Sequence, residues 1–216
     1  MGGFSILHRG DEELALLARG LRRIAGVDEA GRGPLAGPVV AAAVVFGSAI
    51  PEGIDDSKKL TAQKRERLYD EITAGADVGI AIVSPATIDR INILRASLEA
   101  MRMAVEALAA PPDHILVDGR DCPNCVHDMT ALIGGDARSL SIAAASIVAK
   151  VTRDRIMETL CPRFPEYGFS SHKGYPTPTH RETLLRLGPL EHHRRSFAPV
   201  TAQVLSVSRK DTEYLR

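Results

Sequence analysis

The chain lacks the features that mark several large classes of protein. It has no apolar run long enough to span a bilayer, since even residues 39–46 amount to one strand, and acids at positions 11–13 interrupt any signal-peptide core. It has three cysteines, an odd number that argues against a disulfide framework and for the reducing cytoplasm. Its 27 Lys and Arg balance its 27 Asp and Glu, so no global basic field indicates nucleic-acid binding.

The composition that remains is typical of a soluble globular protein. The 216 residues are 44% hydrophobic and 25% charged, and they contain no repeat, low-complexity tract or evident linker. We expect a monomer with a single domain, 1–216, whose core lies at about 24–200 and whose C-terminal tail is 201–216. From Val151 onward there are eleven Lys and Arg against seven Asp and Glu, so the C-terminal third is modestly basic.

Apolar patterning predicts an α/β fold with a mixed β-sheet flanked by helices. Strands are predicted at residues 24–27, 39–46, 78–83, 115–117 and 131–133. Helices are predicted at residues 14–21, 61–72, from Pro85 onward, 94–110, 139–160 and 181–187, the last in a short helical C-terminal region. A glycine-rich turn joins the first two strands, which predicts a hairpin.

Acidic residues stand at the ends of the predicted strands. Asp28 and Glu29 follow the first strand, and Asp118 and Asp136 each lie beside glycine after a later strand. Buried carboxylates need a positive partner, and a divalent cation suits hard oxygen ligands. Neighbouring side chains of a strand point to opposite faces, so Asp28 and Glu29 can converge only if the strand ends or bends there. Taken singly, each acid is more simply a solvated turn carboxylate, but the set of four favours a metal site.

Two Mg²⁺ or Mn²⁺ ions would relieve the repulsion among four clustered acids. Held roughly 3.5–4 Å apart, such ions grip the attacking and leaving oxygens of a phosphodiester. The glycines beside Asp28 and Glu29 let the backbone approach a phosphate or sugar with no side chain in the way. Together these observations predict a metal-dependent site for a nucleic acid or nucleotide.

Five blocks of the sequence resemble, in order, the signature motifs of bacterial ribonuclease HII, the type 2 ribonuclease H family. They are GVDEAGRGP at 26–34, DDSKKL at 55–60, VDG at 117–119, GD at 135–136 with AAASIVAKVTRDR at 143–155, and HKGY at 172–175 with HRRSF at 193–197. The resemblance covers almost all of residues 25–199. It implies an RNase H-like fold and hydrolysis of the RNA strand in RNA–DNA hybrids. It also implies incision 5′ of single ribonucleotides in duplex DNA, leaving 3′-hydroxyl and 5′-phosphate ends.

The resemblance also assigns a metal-binding tetrad of acids, which would hold two Mg²⁺ or Mn²⁺ ions with substrate, to Asp28, Glu29, Asp118 and Asp136. Asp154 is a rival for the fourth position. It lies within a predicted helix between two arginines, where a carboxylate more often makes structural ion pairs than binds metal. We therefore choose Asp136.

A second group of residues is implied in substrate recognition. The resemblance places the sensor of the ribose 2′-hydroxyl, the group that separates RNA from DNA, on the backbone of Gly31, Arg32 and Gly33. Tyr175 resembles the family's junction residue, which stacks on the deoxyribose beyond the ribonucleotide; a half-buried core tyrosine is the simpler alternative. Contacts to the phosphate backbone and duplex are expected from Ser57, Lys58, Lys150, Lys173, Arg194 and Arg195, for whose lysines solvated loop charge is the alternative.

Two other patterns do not predict a site. Cys122 and Cys125 with His127 have metal-site spacing on one side only, so an inserted loop is favoured over zinc or a redox pair. Residues 31–37 are no dinucleotide fingerprint, because prolines and a strand stand where a helix is required.

Three alternative functions are weighed against the nuclease hypothesis. A non-catalytic hybrid-binding protein would be expected to have lost some of the four acids, and a DNA nuclease or recombinase of the same fold would lack Gly-Arg-Gly and Lys-Gly-Tyr. A type 3 ribonuclease H usually carries an extra N-terminal domain, whereas only 25 residues precede the first motif here. The expected partners are RNA–DNA hybrids and DNA duplexes containing ribonucleotides, with no membrane. No motif in the sequence reveals whether a sliding clamp binds.

Overall fold

The predicted strands and helices are present in this computed structural model, with bounds that differ at several ends. The structure describes residues 8–47 and 49–213, with side chains to residue 205. The strands are β1 Ile24–Ala30, β2 Val39–Phe46, β3 Ala76–Val83, β4 His114–Asp118 and β5 Met129–Leu132. The helices are α1 Asp11–Ala18, α2 Ala62–Gly75, α3 Pro85–Ile91, α4 Ile93–Glu106, α5 Leu140–Leu160, α6 Phe169–His172, α7 Pro178–Leu187 and α8 Ala198–Glu213, with 3₁₀ turns at Gly135–Ala137 and Pro165–Tyr167.

The five strands form one mixed sheet in the order β3-β2-β1-β4-β5. β1 pairs antiparallel with β2 from Ala25 opposite Val45 to Ala30 opposite Val40, which confirms the predicted hairpin. β1 and β4 are parallel, and so are β4 and β5, so their carboxyl ends meet at one edge of the sheet. The prediction of a mixed sheet flanked by helices is therefore confirmed.

Strand β1 is longer than its apolar run predicts. Asp28 pairs with Ala42 and Glu29 with Ala41, so both acids lie inside the ladder. The expectation that they follow the end of the strand is wrong, because pairing with β2 keeps the backbone extended as far as Ala30. Asp28 is the last of the five buried residues of β1, whereas Glu29 is partly exposed, and its charge still acts on Asp28.

Small residues allow helix α5 to approach the sheet closely. A Cβ at Gly26 on β1 would overlap the backbone of Ser141 and Ile142, so glycine is required there. The alanines of the same helix, at positions 143–145 and 149, are fully buried in a cluster with Ala42 and Val44 of β2. The Ala- and Ser-rich stretch thus packs as the sequence predicts. Among the described residues no helix has both the length and the apolar character needed to cross a membrane.

The described chain divides into two compact units. The first comprises Met1–Ala30, Val40–Ala81 and Leu98–Val151, and it contains nearly all of the sheet. The second comprises Gly31–Val39, Ile82–Ser97 and Thr152–Arg216. Its interior contains a cluster formed by Ala36, Met157, Leu160, Tyr167 and Phe169. That the whole chain behaves as a single domain stays a prediction.

Candidate functional site

The parallel pairing of β1 and β4 brings two of the predicted acids side by side in the first unit. Val27 is paired with Val117, and the next residue on each strand is Asp28 and Asp118 respectively. The third acid, Asp136, lies in the 3₁₀ turn that follows β5, the parallel neighbour of β4. The parallel connections therefore gather these acids at one edge of the sheet.

Backbone amides fix the orientation of two of the carboxylates. The Glu29 amide donates to Asp28 Oδ1 at 2.7 Å, and the Gly135 amide donates to Asp118 Oδ1 at 2.7 Å. A Cβ on Gly135 would stand 3.2 Å from that same Asp118 oxygen and 2.6 Å from Cδ1 of Ile142, so glycine lets the amide approach without displacing either neighbour. The glycine beside Asp136 in the sequence thus acts on Asp118.

A pair of serines supports Asp28 from α5. Ser146 forms a side-chain hydrogen bond with Asp28, and its hydroxyl lies 2.9 Å from the hydroxyl of Ser57. Ser57, expected at the phosphate backbone, is only 3% exposed. The geometry therefore connects Ser57 to the acid cluster through Ser146. Ser146 lies inside the AAASIVAK block, but its polar side chain alone gave no reason to select it.

The acids are linked electrostatically. Burial, and then the charges of Glu29 and Asp118, raise the pKa of Asp28 well above its usual value. Burial also raises the pKa of Asp118, with a further contribution from Asp136, while the Gly135 amide and the charge of Lys58 act in the opposite direction. Such a set is unfavourable when all its members are ionised, and a nearby cation relieves the cost.

The donor set fits a hard divalent ion. Carboxylate oxygens are the ligands that Mg²⁺ and Mn²⁺ prefer, and the repulsion at Asp28 is what such an ion would offset. Within the described residues, however, no three His, Cys, Asp or Glu side chains are close enough together to coordinate a metal ion as they stand.

Electrostatics favours Asp136 over Asp154 as the fourth acid, although this assignment stays a prediction. The charge of Asp136 acts on Asp118 within the first unit. Asp154 lies on α5 in the second unit, where its charge acts on Arg153.

The Gly-Arg-Gly loop, residues 31–33, begins the second unit. Gly31 has a φ of 98°, and a Cβ there would overlap the side chain of Arg153, so two constraints require glycine. Arg32 and Gly33 are exposed. A Cβ on Gly33 would stand 3.7 Å from the ring of Tyr175, which is 41% exposed. The loop and the tyrosine therefore lie side by side on one surface of this unit.

Two buried arginines lie beneath that surface. Arg194, expected as a duplex contact, has no exposed surface, and its guanidinium donates to the carbonyls of Gly31, Arg32, Gly37 and Pro38. Arg153 is 1% exposed and was not selected from the sequence. The sequence does contain an indication that Arg153 is buried, because it shares a helical stripe on α5 with Met157 and Leu160. All three side chains are buried in the structure.

The remaining predicted contacts differ in exposure. Lys58 and Arg195 are exposed, and Lys150 is partly exposed. The Arg195 amide donates to Asp89 Oδ2 at 2.9 Å, which fixes its backbone. Lys173 has a φ of 50°, and its ammonium donates to Glu158 Oε1 at 2.7 Å and to the Ser170 carbonyl at 2.6 Å.

The cysteines are not paired with one another. All three are free, and the Cys125 thiol contacts Met129 Sδ at 3.5 Å.

The chain matches the family model described as Ribonuclease HII over residues 25–200. It is 61% identical over 191 residues to the Ribonuclease HII of Bradyrhizobium diazoefficiens, an alignment that covers 88% of this chain and 73% of the relative. Its fold is similar to that of ribonuclease H2 from Pyrococcus horikoshii, with a TM-score of 0.71, 31% identity and coverage of 83% and 96% of the two chains.

A second solved structure, a complex of PCNA with RNase HII from Archaeoglobus fulgidus, gives a TM-score of 0.64 at 28% identity, covering 80% of this chain and 93% of that one. The family model spans residues of both units, and the relatives and neighbours share one enzyme class. These matches support ribonuclease H activity on RNA–DNA hybrids. The chain belongs to the ribonuclease HII family, is a nuclease, and has the RNase H-like fold.

Proposed function

We propose that this protein is a Mg²⁺- or Mn²⁺-dependent endoribonuclease that also incises 5′ of single ribonucleotides in duplex DNA. Its products would carry 3′-hydroxyl and 5′-phosphate ends. The observation that supports this most directly is the position of Asp28 and Asp118 on adjacent parallel strands, with the charge of Asp136 acting on Asp118. Family membership supports the coarser activity on hybrids.

The residues that would hold the ions are the four acids, Asp28, Glu29, Asp118 and Asp136. Bound divalent ions would supply charge stabilisation at the phosphodiester and activation of the attacking water. The chain's own groups prepare the ligands. Ser146 and the Glu29 amide orient Asp28, and the Gly135 amide orients Asp118. Ligands held in this way lose less conformational freedom when an ion binds.

Recognition of the ribonucleotide is proposed for the second unit. Arg32 and Gly33 are exposed, and Gly33 offers backbone with no side chain above it, so a ribose can approach closely. The exposed part of the Tyr175 ring beside Gly33 is available for stacking on a sugar or base. We propose that the loop recognises the 2′-hydroxyl and that Tyr175 recognises the RNA–DNA junction.

Binding of the phosphate backbone is proposed for the exposed cations Lys58 and Arg195 and for the partly exposed Lys150. Ser57 would act through Ser146, and Lys173 through the backbone that its ion pair with Glu158 holds. A sliding clamp is proposed as a protein partner, on the ground of the similarity to the RNase HII of the PCNA complex.

The deciding experiment uses three labelled substrates of one sequence: a DNA duplex with a single ribonucleotide, an RNA–DNA hybrid and an all-DNA duplex. We expect wild-type protein to cleave the first two in Mg²⁺, to cleave neither in EDTA and to spare the third. Treating the products with a phosphatase identifies their ends. Binding of the hybrid without cleavage in either Mg²⁺ or Mn²⁺ would instead favour the non-catalytic alternative.

A further inference from the structure

The guanidinium groups of Arg153 and Arg194 are buried and donate to backbone carbonyls, and the charges of Asp154 and Asp89 respectively also act on them. Arg194 donates from Nε to Gly37 at 3.0 Å and through its two terminal nitrogens to Gly31 at 2.5 Å, Arg32 at 2.9 Å and Pro38 at 3.1 Å. Arg153 donates to three carbonyls, those of Ala36, Pro38 and Lys173, each at 3.0 Å. All seven of these hydrogen bonds therefore end on the backbone of one small region.

Anchored carbonyls determine where the neighbouring amides point. In a trans peptide the C=O of one residue and the N–H of the next point in opposite directions. Arg194 accepts no hydrogen bond, so by holding the carbonyls of Gly31 and Arg32 it turns the N–H groups of Arg32 and Gly33 away from itself. Both residues are exposed, and their amides lie on the side of the loop opposite the buried Arg194 guanidinium.

Arg153 fixes the backbone next to Tyr175 in a similar way. It holds the carbonyl of Lys173, two residues before the tyrosine, and its guanidinium carbon lies 5.9 Å from the centre of the Tyr175 ring. The same side chain fills the space that the missing Cβ of Gly31 leaves open. Arg153 thus contacts both the loop and the region that carries the tyrosine.

An ordinary structural role does not account well for two buried cations. Burial, and then the charge of Arg153, lower the pKa of Arg194 to about 9, which shows how unfavourable the pair is as charged groups. Apolar side chains of similar volume commonly stabilise a core as well as a buried ion does. A guanidinium group differs from an apolar group because its planar, rigid set of N–H donors can orient several carbonyls at once.

We propose that Arg153 and Arg194 are positioning residues for ribonucleotide recognition. Arg194 sets the direction of the Arg32 and Gly33 amides toward the 2′-hydroxyl, and Arg153 holds Tyr175 in register with that loop. The inference rests on the proposed function, in which the loop and Tyr175 recognise the substrate. It extends that function by assigning the orientation of the recognition groups to two buried side chains.

The first test measures binding in an Asp118→Asn background, which is not expected to cleave. Two duplexes that differ by one 2′-hydroxyl are compared. The Asp118→Asn protein should prefer the ribonucleotide duplex by about tenfold, the worth of one or two hydrogen bonds. Adding Arg194→Lys, which keeps the charge but cannot span four carbonyls, should remove most of that preference and leave affinity for the all-DNA duplex unchanged. Arg194→Gln is measured in parallel and should behave in the same way.

The control variant is Arg186→Lys, which changes an exposed arginine on α7 and should retain the full preference. Melting curves establish that each variant is folded at the assay temperature. Retention of the preference in the Arg194 variants overturns the proposal, and so does an equal loss of affinity for both duplexes. A parent Asp118→Asn protein with no preference would instead contradict the proposed function of the loop.

The second test concerns Arg153 and uses catalytically intact protein. Arg153→Lys should reduce the ratio of the cleavage rate on the single-ribonucleotide duplex to that on a long hybrid severalfold, in the direction that we also expect for Tyr175→Ala. The double variant should show no further loss of this ratio, because both changes remove the same function. Additive effects of the two changes, or an equal fall on both substrates, would overturn the role assigned to Arg153.

Discussion

His180 and His193 face each other through their Nε2 atoms, 3.1 Å apart, in the buried part of the second unit. Nδ1 of His193 accepts from the Leu190 amide, so its proton is on Nε2 and is donated to His180. Nδ1 of His180 in turn donates to the Tyr175 carbonyl at 2.9 Å. This arrangement requires both rings to be neutral, because a proton on each Nε2 would set two donors against each other.

The free energy of unfolding is therefore expected to decrease as the pH falls. Burial, and then the neighbouring His180, lower the pKa of His193 to about 3, and burial lowers the pKa of His172 and His180 as well. The unfolded chain takes up protons near pH 6.5, whereas the folded chain does not, so the stabilisation is complete above about pH 6.5 and is lost as the pH falls toward 3. Melting temperatures from pH 8 to pH 5 measure this decline.

Substitution of one histidine separates this cause from general acid denaturation. His193→Gln should melt at a lower temperature than wild type at pH 8, but its melting temperature should depend less on pH between 7 and 5. His8→Gln, at an exposed histidine, serves as the control substitution. Parallel pH profiles for wild type and His193→Gln would show that the buried pair does not titrate as the structure indicates.

The acids of the first unit are expected to act together. Asp28→Asn or Asp118→Asn should lower hydrolysis by several orders of magnitude while binding of hybrid persists, because an amide cannot compensate the charge of a metal ion. Asp154→Asn should chiefly lower stability. Turnover is measured in Mg²⁺ and Mn²⁺, with binding measured alongside. Near-normal turnover of either tetrad variant refutes the metal assignment, and loss of metal binding in folded Asp154→Asn shows that Asp136 was the wrong choice.

Local pattern was sufficient to predict most of the fold and to single out the acids beside glycine as candidate metal ligands, an assignment that stays a prediction. The length over which the two hairpin strands pair was not predictable from it. β1 runs on through Glu29 because β2 supplies partners, a contact between segments that the apolar run 24–27 does not encode. The burial of Arg194 was missed for a similar reason. A binary apolar pattern treats every arginine as exposed, whereas here the carbonyls of a distant loop replace water around its guanidinium.

Close packing of α5 on the sheet gives a sharp stability prediction. Gly26→Ala places a methyl group into the backbone of Ser141, which cannot rotate away as a side chain could, so the change should destabilise by about 3 kcal/mol or more. Gly75→Ala is the matched control, since nothing lies within 4 Å of its added Cβ at the end of α2 and alanine favours helix there. Urea titrations of both variants measure the difference. A Gly26→Ala protein as stable as wild type would mean that α5 does not pack against β1 at this distance.

Tyr175 offers the most direct test of how a single ribonucleotide is recognised. If its half-exposed ring stacks beyond the ribonucleotide, Tyr175→Ala should lose about 1–3 kcal/mol of stacking. The loss should fall mainly on the single-ribonucleotide duplex, where one RNA–DNA step is the only feature to recognise, and less on a long hybrid with many equivalent registers. Tyr175→Phe keeps the ring and should retain most of the preference. The ratio of cleavage rates on the two substrates decides the matter: an equal fall for alanine on both would make Tyr175 a structural residue and leave recognition to the Gly-Arg-Gly loop.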